Sequence, residues 1–332
     1  MSFKLIVGAI IICLVTFGGL FMNIVGILTV SKMPKKMKLF NSLIMCRLSF
    51  DSWFLVSAPF FFFGLHHEEL DCKLCAWLVP YWADPCGHIS LFGTVLMTLA
   101  ISHERYCAIK NPLSYPLQDD VRKKRLLIYL TLTLLVVISV NIPRFQDFEV
   151  IPANLTFGSI KLCLTNQTCN RDYIIFYETL TSHILFGIVP FFLLIFLGFK
   201  THKAFKDHNK RLTINRCPFN DETSDRRKKA EDQMLKVLKI LVITFLVCHT
   251  PRISLYCFNV AYAIIYGTRY RCIHSNRDTC EYPLDAYGIV NQIDVLMVMV
   301  NSSIGTFLYC ASNKDFNALA LGSVKKCLRM RE

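Results

Sequence analysis

Residues 5–30 read LIVGAIIICLVTFGGLFMNIVGILTV, a run without a single charge, and Lys32, Lys35, Lys36 and Lys38 follow directly. A hydrocarbon layer of about 30 Å needs about 20 apolar residues in a helix, so this run is long enough to cross one. It is too long for a signal-peptide core and lacks a small-residue cleavage site, so it reads as a retained span. Six further runs of this kind lie between clusters of charge, over residues 39–64, 77–108, 126–143, 173–199, 234–262 and 284–310. The fold class they predict is an all-α membrane protein, a bundle of seven transmembrane helices occupying residues 1–310.

The composition agrees. Of 332 residues 53% are hydrophobic and only 18% charged, and the mean hydropathy is +0.40; a soluble domain does not look like this. The same numbers exclude disorder, collagen and a nucleic-acid module, although the net charge of +13 would suit the last. That charge follows membrane topology instead, because short cytoplasmic loops carry the excess of Lys and Arg. Besides the first cluster, Arg122, Lys123, Lys124 and Arg125 fall between spans three and four, and Arg226, Arg227, Lys228 and Lys229 between five and six. Lys325, Lys326, Arg329 and Arg331 mark the tail. The opposite loops hold Glu68, Glu69, Asp71, Asp147, Glu149, Asp278 and Glu281, with the glycosylation sequons at Asn154 and Asn166. The N-terminus is therefore expected outside. No nucleophile elbow, phosphate loop or metal-ligand cluster is present, which argues against an enzyme and against a metal. The absence of an internal repeat weakens an inverted-repeat transporter. A seven-helix channel would want polar lining along several helices, whereas Asp51 is the one deep ionisable group read in the first four spans.

Ionisable groups at membrane depth mark function by default. Asp51 sits midway along the second span, where helical spacing can set it against Asn23, Thr94, Asn301 and Ser302. It is either a hydrogen-bonded packing hub or a site for a sodium ion or a proton. Glu104-Arg105-Tyr106 closes the third span, and Arg105 can pair with Glu104 and with Glu231 at the start of the sixth. Such a pair makes a breakable latch; the alternative is an Arg snorkelling to lipid phosphate. Pro59, Pro190 and Pro251 each free a carbonyl and kink a helix. Pro251 closes Cys248-His249-Thr250-Pro251, with Phe245 about one and a half turns before it, so the inner half of span six can swing about this point.

An Asp in span two, Glu-Arg-Tyr closing span three, Cys-x-x-Pro in span six and Asn301-Ser302-Ser303 through Tyr309 in span seven together resemble the rhodopsin-like G-protein-coupled receptors. Asn141-Ile142-Pro143-Arg144-Phe145, Cys248-His249-Thr250-Pro251 and Phe307-Leu308-Tyr309-Cys310 narrow this to a resemblance to invertebrate FMRFamide-type neuropeptide receptors. The resemblance implies a multi-pass receptor of the plasma membrane whose partners are an extracellular peptide, a heterotrimeric G protein and membrane lipids. It also implies that residues 311–332 form a short amphipathic eighth helix and a cytoplasmic tail, with Cys327 beside basic residues as a palmitoylation candidate.

The departures from that family carry information. Its usual Asn-Pro-x-x-Tyr is Gly305-Thr306-Phe307-Leu308-Tyr309, so the Asn that completes the sodium network is missing. His249 stands where a Trp is usual and Gly198 where span five often has Tyr. The disulfide Cys expected twenty-five residues before Arg105 is Pro80, so Cys72 or Cys75 would substitute, pairing with Cys163 or Cys169. A second bridge would join Cys272 to Cys280; all six lie in the oxidising outer loops. The amine-binding Asp is replaced by Gly87 and the retinal Lys by Met299, which argues against both ligands. An Arg-Phe-amide peptide would want an acid and an aromatic slot. Glu178 and Asp294 are the candidate acids, with Tyr177, His88 and Tyr256 around them, unless either acid is a solvated rim charge. A receptor for a small chemosensory molecule is the competing reading.

Overall fold

In hydrocarbon a backbone has to satisfy its own hydrogen bonds, and a long apolar run does so by closing into a helix. The computed structural model of the chain is such a bundle, and describes residues 3–33, 38–65, 73–110, 119–152, 160–165, 170, 172–214, 221–266, 286–312, 317 and 319–322. Helix α1 is Phe3–Ser31 and α2 is Lys38–Leu65. A helical turn Lys73–Leu78 and a π-helical turn Val79–Ala83 lead into α3, Asp84–Lys110. Helix α4 is Asp119–Asn141, α5 Val189–Ile214, α6 Asp221–Tyr266 and α7 Ala286–Ser312. Among the described residues, four stretches are by themselves long and apolar enough to cross a membrane: Ile6–Ser31, Leu39–Phe60, Val79–Lys110 and Asp119–Gln146.

Three features depart from simple α-helical spans. Helix α4 stops at Asn141 and continues as a 3-10 turn, Ile142–Gln146, because Pro143 offers no amide hydrogen and restricts the residue before it. Span five begins as a π-helix, Tyr173–Ile188, and takes the α register only at Val189, next to Pro190. A two-stranded antiparallel hairpin, β1 (Phe148–Pro152) and β2 (Ile160–Leu164), lies in the loop between spans four and five, with Phe148 opposite Leu164 and Pro152 opposite Ile160. Its base is fastened by Thr165, whose hydroxyl donates to the Gln146 carbonyl at 2.7 Å.

Helix α3 is the axis, packed on α2, α4 and α5, while α7 contacts α6, α2 and α1 and closes the ring. The outermost helix is α4, with Leu127, Ile128, Leu132, Leu135 and Ile138 all exposed. An apolar surface of this kind belongs against lipid. Small residues set the closest approaches, as membrane interfaces favour. A Cβ on Gly93 would come within 2.5 Å of the Phe50 ring, so this glycine seats α2 against α3. Gly19 does the same for α1 against Ser303 of α7.

The core has two apolar layers. Leu43, Ile44, Leu48, Met97, Ile101, Leu194 and Phe245 form one, and Phe54, Leu55, Phe92, Val137, Val298 and Met299 the other. Asp51 lies between them on α2, Thr94 at the same joint on α3, Asn23 on α1 and Asn301 and Ser302 on α7, so a polar layer crosses the bundle. Ala320 packs against the first layer from beyond α7.

Candidate functional site

Chemistry in this chain is concentrated at three levels: the polar layer, the α3 C-terminal end, and the opposite end near the hairpin. In the polar layer Asp51 is fully buried, and the Thr94 hydroxyl donates to its Oδ1 at 3.0 Å. Ser302 of α7 lies beside the same carboxyl. Asn23 Nδ2 donates to the Ser302 carbonyl at 3.1 Å, tying α1 to α7. The expected hub of Asn23, Asp51, Thr94, Asn301 and Ser302 is thus brought to one level. One expectation is corrected here: Asp51 is not the only deep ionisable group in the first four spans. Arg47, one helical turn before it, is 1% exposed and sets its Nε 3.6 Å from Asp51 Oδ2. The spacing i,i+4 within one helix was the available signal.

At the α3 C-terminal end Glu104 is buried, accepts a hydrogen bond from the Tyr129 hydroxyl at 2.8 Å, and lies 3.6 Å from Arg125 Nη1. Tyr129 Oη is also 3.0 Å from His103 Nδ1; with its own proton given to Glu104, it accepts from an Nδ1–H. Sequence reasoning missed these α4 partners, which an aromatic and a basic residue on a facing helix do not announce. The Arg105 guanidinium stacks over the Phe40 ring, 3.3 Å from its centroid, a cation–π contact with α2. Lys110 Nζ lies 5.4 Å from the Tyr106 ring. Nearby, between α5 and α6, a cavity of about 260 Å³ is lined by Gly198, Thr201, His202, Lys239, Val242 and Leu246. Gly198 leaves that room, since nothing lies within 4 Å of where its Cβ would be.

Between these levels, the rings of Phe245 and His249 face each other at 4.1 Å on α6, within the two turns that precede Pro251. The next residue, Arg252, was also missed. It grips Asp294 of α7 with two nitrogens: Nε at 3.1 and 3.0 Å from the two carboxylate oxygens, and Nη2 at 2.8 Å from Oδ2. Asp294, a candidate acid for a peptide's arginine, is not a solvated rim charge: both its oxygens hold the Arg252 guanidinium, and it is buried.

The hairpin end has a second acid in a firm grip. Asp147, read from the sequence as an outer-loop charge, is buried; Arg144 Nη1 donates to its Oδ2 at 2.8 Å and the Tyr173 hydroxyl to its Oδ1 at 2.5 Å. Tyr177, expected in the ligand pocket, gives its hydroxyl to the Val140 carbonyl at 2.8 Å and so joins span five to α4. His88 Nε2 is 3.7 Å from Asp84 Oδ1, and its ring meets Phe92 edge-on at 5.9 Å.

Several expected positions lie outside the described residues: Cys72, Cys169, Cys272, Cys280, Cys327, Asn154 and Asn166, as do the side chains of Cys75, Cys163, Glu178, Glu231, Tyr256 and Tyr309. The turn that carries Cys75 packs against β2, the strand that carries Cys163. No group of His, Cys, Asp and Glu suited to a metal occurs among the described residues.

A search of curated proteins gives no match. The profile described as 7 transmembrane receptor (rhodopsin family) matches residues 22–309, from within α1 to the Tyr that ends the span-seven motif. That stretch holds the polar layer, the α3 end and the α6–α7 pair together, and the chain belongs to this family: it is a multi-pass receptor of the plasma membrane, not an enzyme, whose partners are an extracellular ligand and a heterotrimeric G protein.

Proposed function

We propose that the extracellular ligand is a neuropeptide of the FMRFamide type and that its arginine displaces Arg252 from Asp294. The observation that carries this reading is the bidentate α6–α7 pair. Asp294 already presents its carboxylate in the geometry a guanidinium takes, and a ligand guanidinium exchanges like for like at that acid. Exchange, unlike simple addition, removes the one charged tie between α6 and α7 among the described residues. A ligand shifts an equilibrium only by its differential affinity for the two states, and here that difference lies in which arginine Asp294 holds.

With α6 released, its inner half swings about Pro251 and opens a cleft at the α3 C-terminal end. Arg105 then leaves its place over Phe40 and meets the G-protein tail. In this reading the N-terminus and the hairpin face outward, the basic connections face the cytoplasm and hold anionic lipid, and Asn154 and Asn166 carry glycans.

The test is a cell line with G-protein activation sensors, challenged with amidated peptides. The expected result is a dose-dependent response that Arg105→Ala abolishes at equal surface expression. Asp294→Asn, and separately a peptide with citrulline in place of arginine, should each raise the half-maximal dose about tenfold or more. Silence with the receptor at the surface, or unchanged potency in Asp294→Asn, overturns the peptide assignment and favours a small-molecule ligand.

A further inference from the structure

We propose that Arg47 is a tethered cation that takes the place of a mobile sodium ion beside Asp51. Three observations meet at this point. Arg47 is 1% exposed, inside a helix that crosses the membrane, and the charge nearest its guanidinium is the fully buried Asp51, 3.6 Å away. An arginine keeps its proton at any accessible pH, so this positive charge is permanent. The guanidinium points across the layer to α7, where a Cβ on Gly305 would stand 3.6 Å from Nη1 and 4.0 Å from Nη2. Gly305 is the position at which the related receptors resembled by this sequence carry an Asn, and the space that an amide side chain would take up there is faced by the guanidinium. Two departures in sequence, an arginine on α2 and a glycine on α7, are therefore one change in space.

The residues do not fit a sodium ion as well as an arginine. Sodium would need Asp51 and neighbouring oxygens, and those of Thr94 and Ser302 are present. A fixed positive charge already stands at the carboxylate, however, and at this distance inside the bundle it repels a second cation that water screens poorly. The guanidinium also has free hydrogen-bonding capacity in this layer: Nε and Nη1 of Arg47 are buried and without a hydrogen-bond partner, as are Asn23 Oδ1, Asn301 Nδ2 and Thr306 Oγ1. The consequence is a receptor whose inactive state is held by its own side chain and does not respond to extracellular sodium.

The experiment uses the full-length receptor in detergent, without ligand, and reads its melting midpoint in sodium chloride against choline chloride at equal ionic strength. The wild type should show no sodium-specific shift. In Arg47→Leu, Asp51 loses its partner, and sodium should raise the midpoint by about 3 °C or more in a saturable way; Arg47→Lys should stay insensitive. Gly305→Asn should lower the midpoint in the wild type and do so less in the Arg47→Leu background. A saturable sodium-specific stabilisation of the wild type that Asp51→Asn removes overturns the proposal, and needs no Arg47 variant to fold. A folded Arg47→Leu receptor that gains no sodium response overturns it as well.

Discussion

Arg47–Asp51 and Arg252–Asp294 lie at different heights in this bundle, and the two pairs are built differently. Arg47 and Asp51 belong to one helix and stand 3.6 Å apart, beyond hydrogen-bonding distance. Arg252 and Asp294 belong to two helices, 42 residues apart in sequence, and form a bidentate pair with its shortest contact at 2.8 Å. A pair within one helix moves as a unit when that helix tilts, so it neutralises charge without locking anything. A pair between α6 and α7 has to break if the two separate. The first kind suits a permanent counter-charge and the second a latch.

The largest effect should come from breaking the latch on one side. Asp294→Ala leaves the largely buried Arg252 guanidinium without its acid, and removing one partner of a buried pair costs up to about 3–5 kcal/mol. A clear drop in melting temperature and raised ligand-independent G-protein activation are expected. Exchanging the two residues, Arg252→Asp with Asp294→Arg, should recover part of both losses, and no recovery would show that the pair is not acting as a tie.

The α2 pair should answer differently when both members go. Replacing a buried ion pair by apolar residues of similar size is often neutral or stabilising by about 1–4 kcal/mol, so Arg47→Met with Asp51→Leu should melt no lower than Arg47→Met alone. If the double variant is the less stable one, Asp51 has partners that matter more than Arg47, with Thr94 the first suspect.

A third measurement probes the seam that places Asp51 beside Thr94. Gly93→Ala puts a methyl where the Phe50 ring lies, and such overpacking costs about 1–3 kcal/mol. Its melting temperature should fall while the α6–α7 latch, read by basal activity, stays unchanged. The smallest effect belongs to Tyr129→Phe, which removes one hydrogen bond to buried Glu104 and should cost about 1 kcal/mol or a little more. Arg125 remains to face that acid and is partly exposed, so it contributes little by itself.

Legibility in the sequence followed the range of each interaction. The polar layer was readable because Asn23, Asp51, Thr94, Asn301 and Ser302 are polar residues in otherwise apolar runs, and helical spacing gave them a common level. Arg47 was legible in principle, one turn from Asp51, yet a single arginine in a long apolar run reads as part of the span until its burial is known. The latch was not legible. Arg252 follows a proline and Asp294 sits in a distant span, and nothing local says that their side chains face each other. The same holds for Tyr129 against Glu104, and for Tyr177, which looked like a pocket residue and instead bonds the Val140 carbonyl.

The sequence by itself determined the helical-bundle fold and the family, because hydrophobic length and short motifs are properties of consecutive residues and a bilayer acts on them one segment at a time. The tertiary structure alone decided which charges meet. Whether a buried acid is open or occupied depends on how α6 lies against α7 and how closely α2 approaches α7 at Gly305, and those distances arise from packing between segments far apart in the chain.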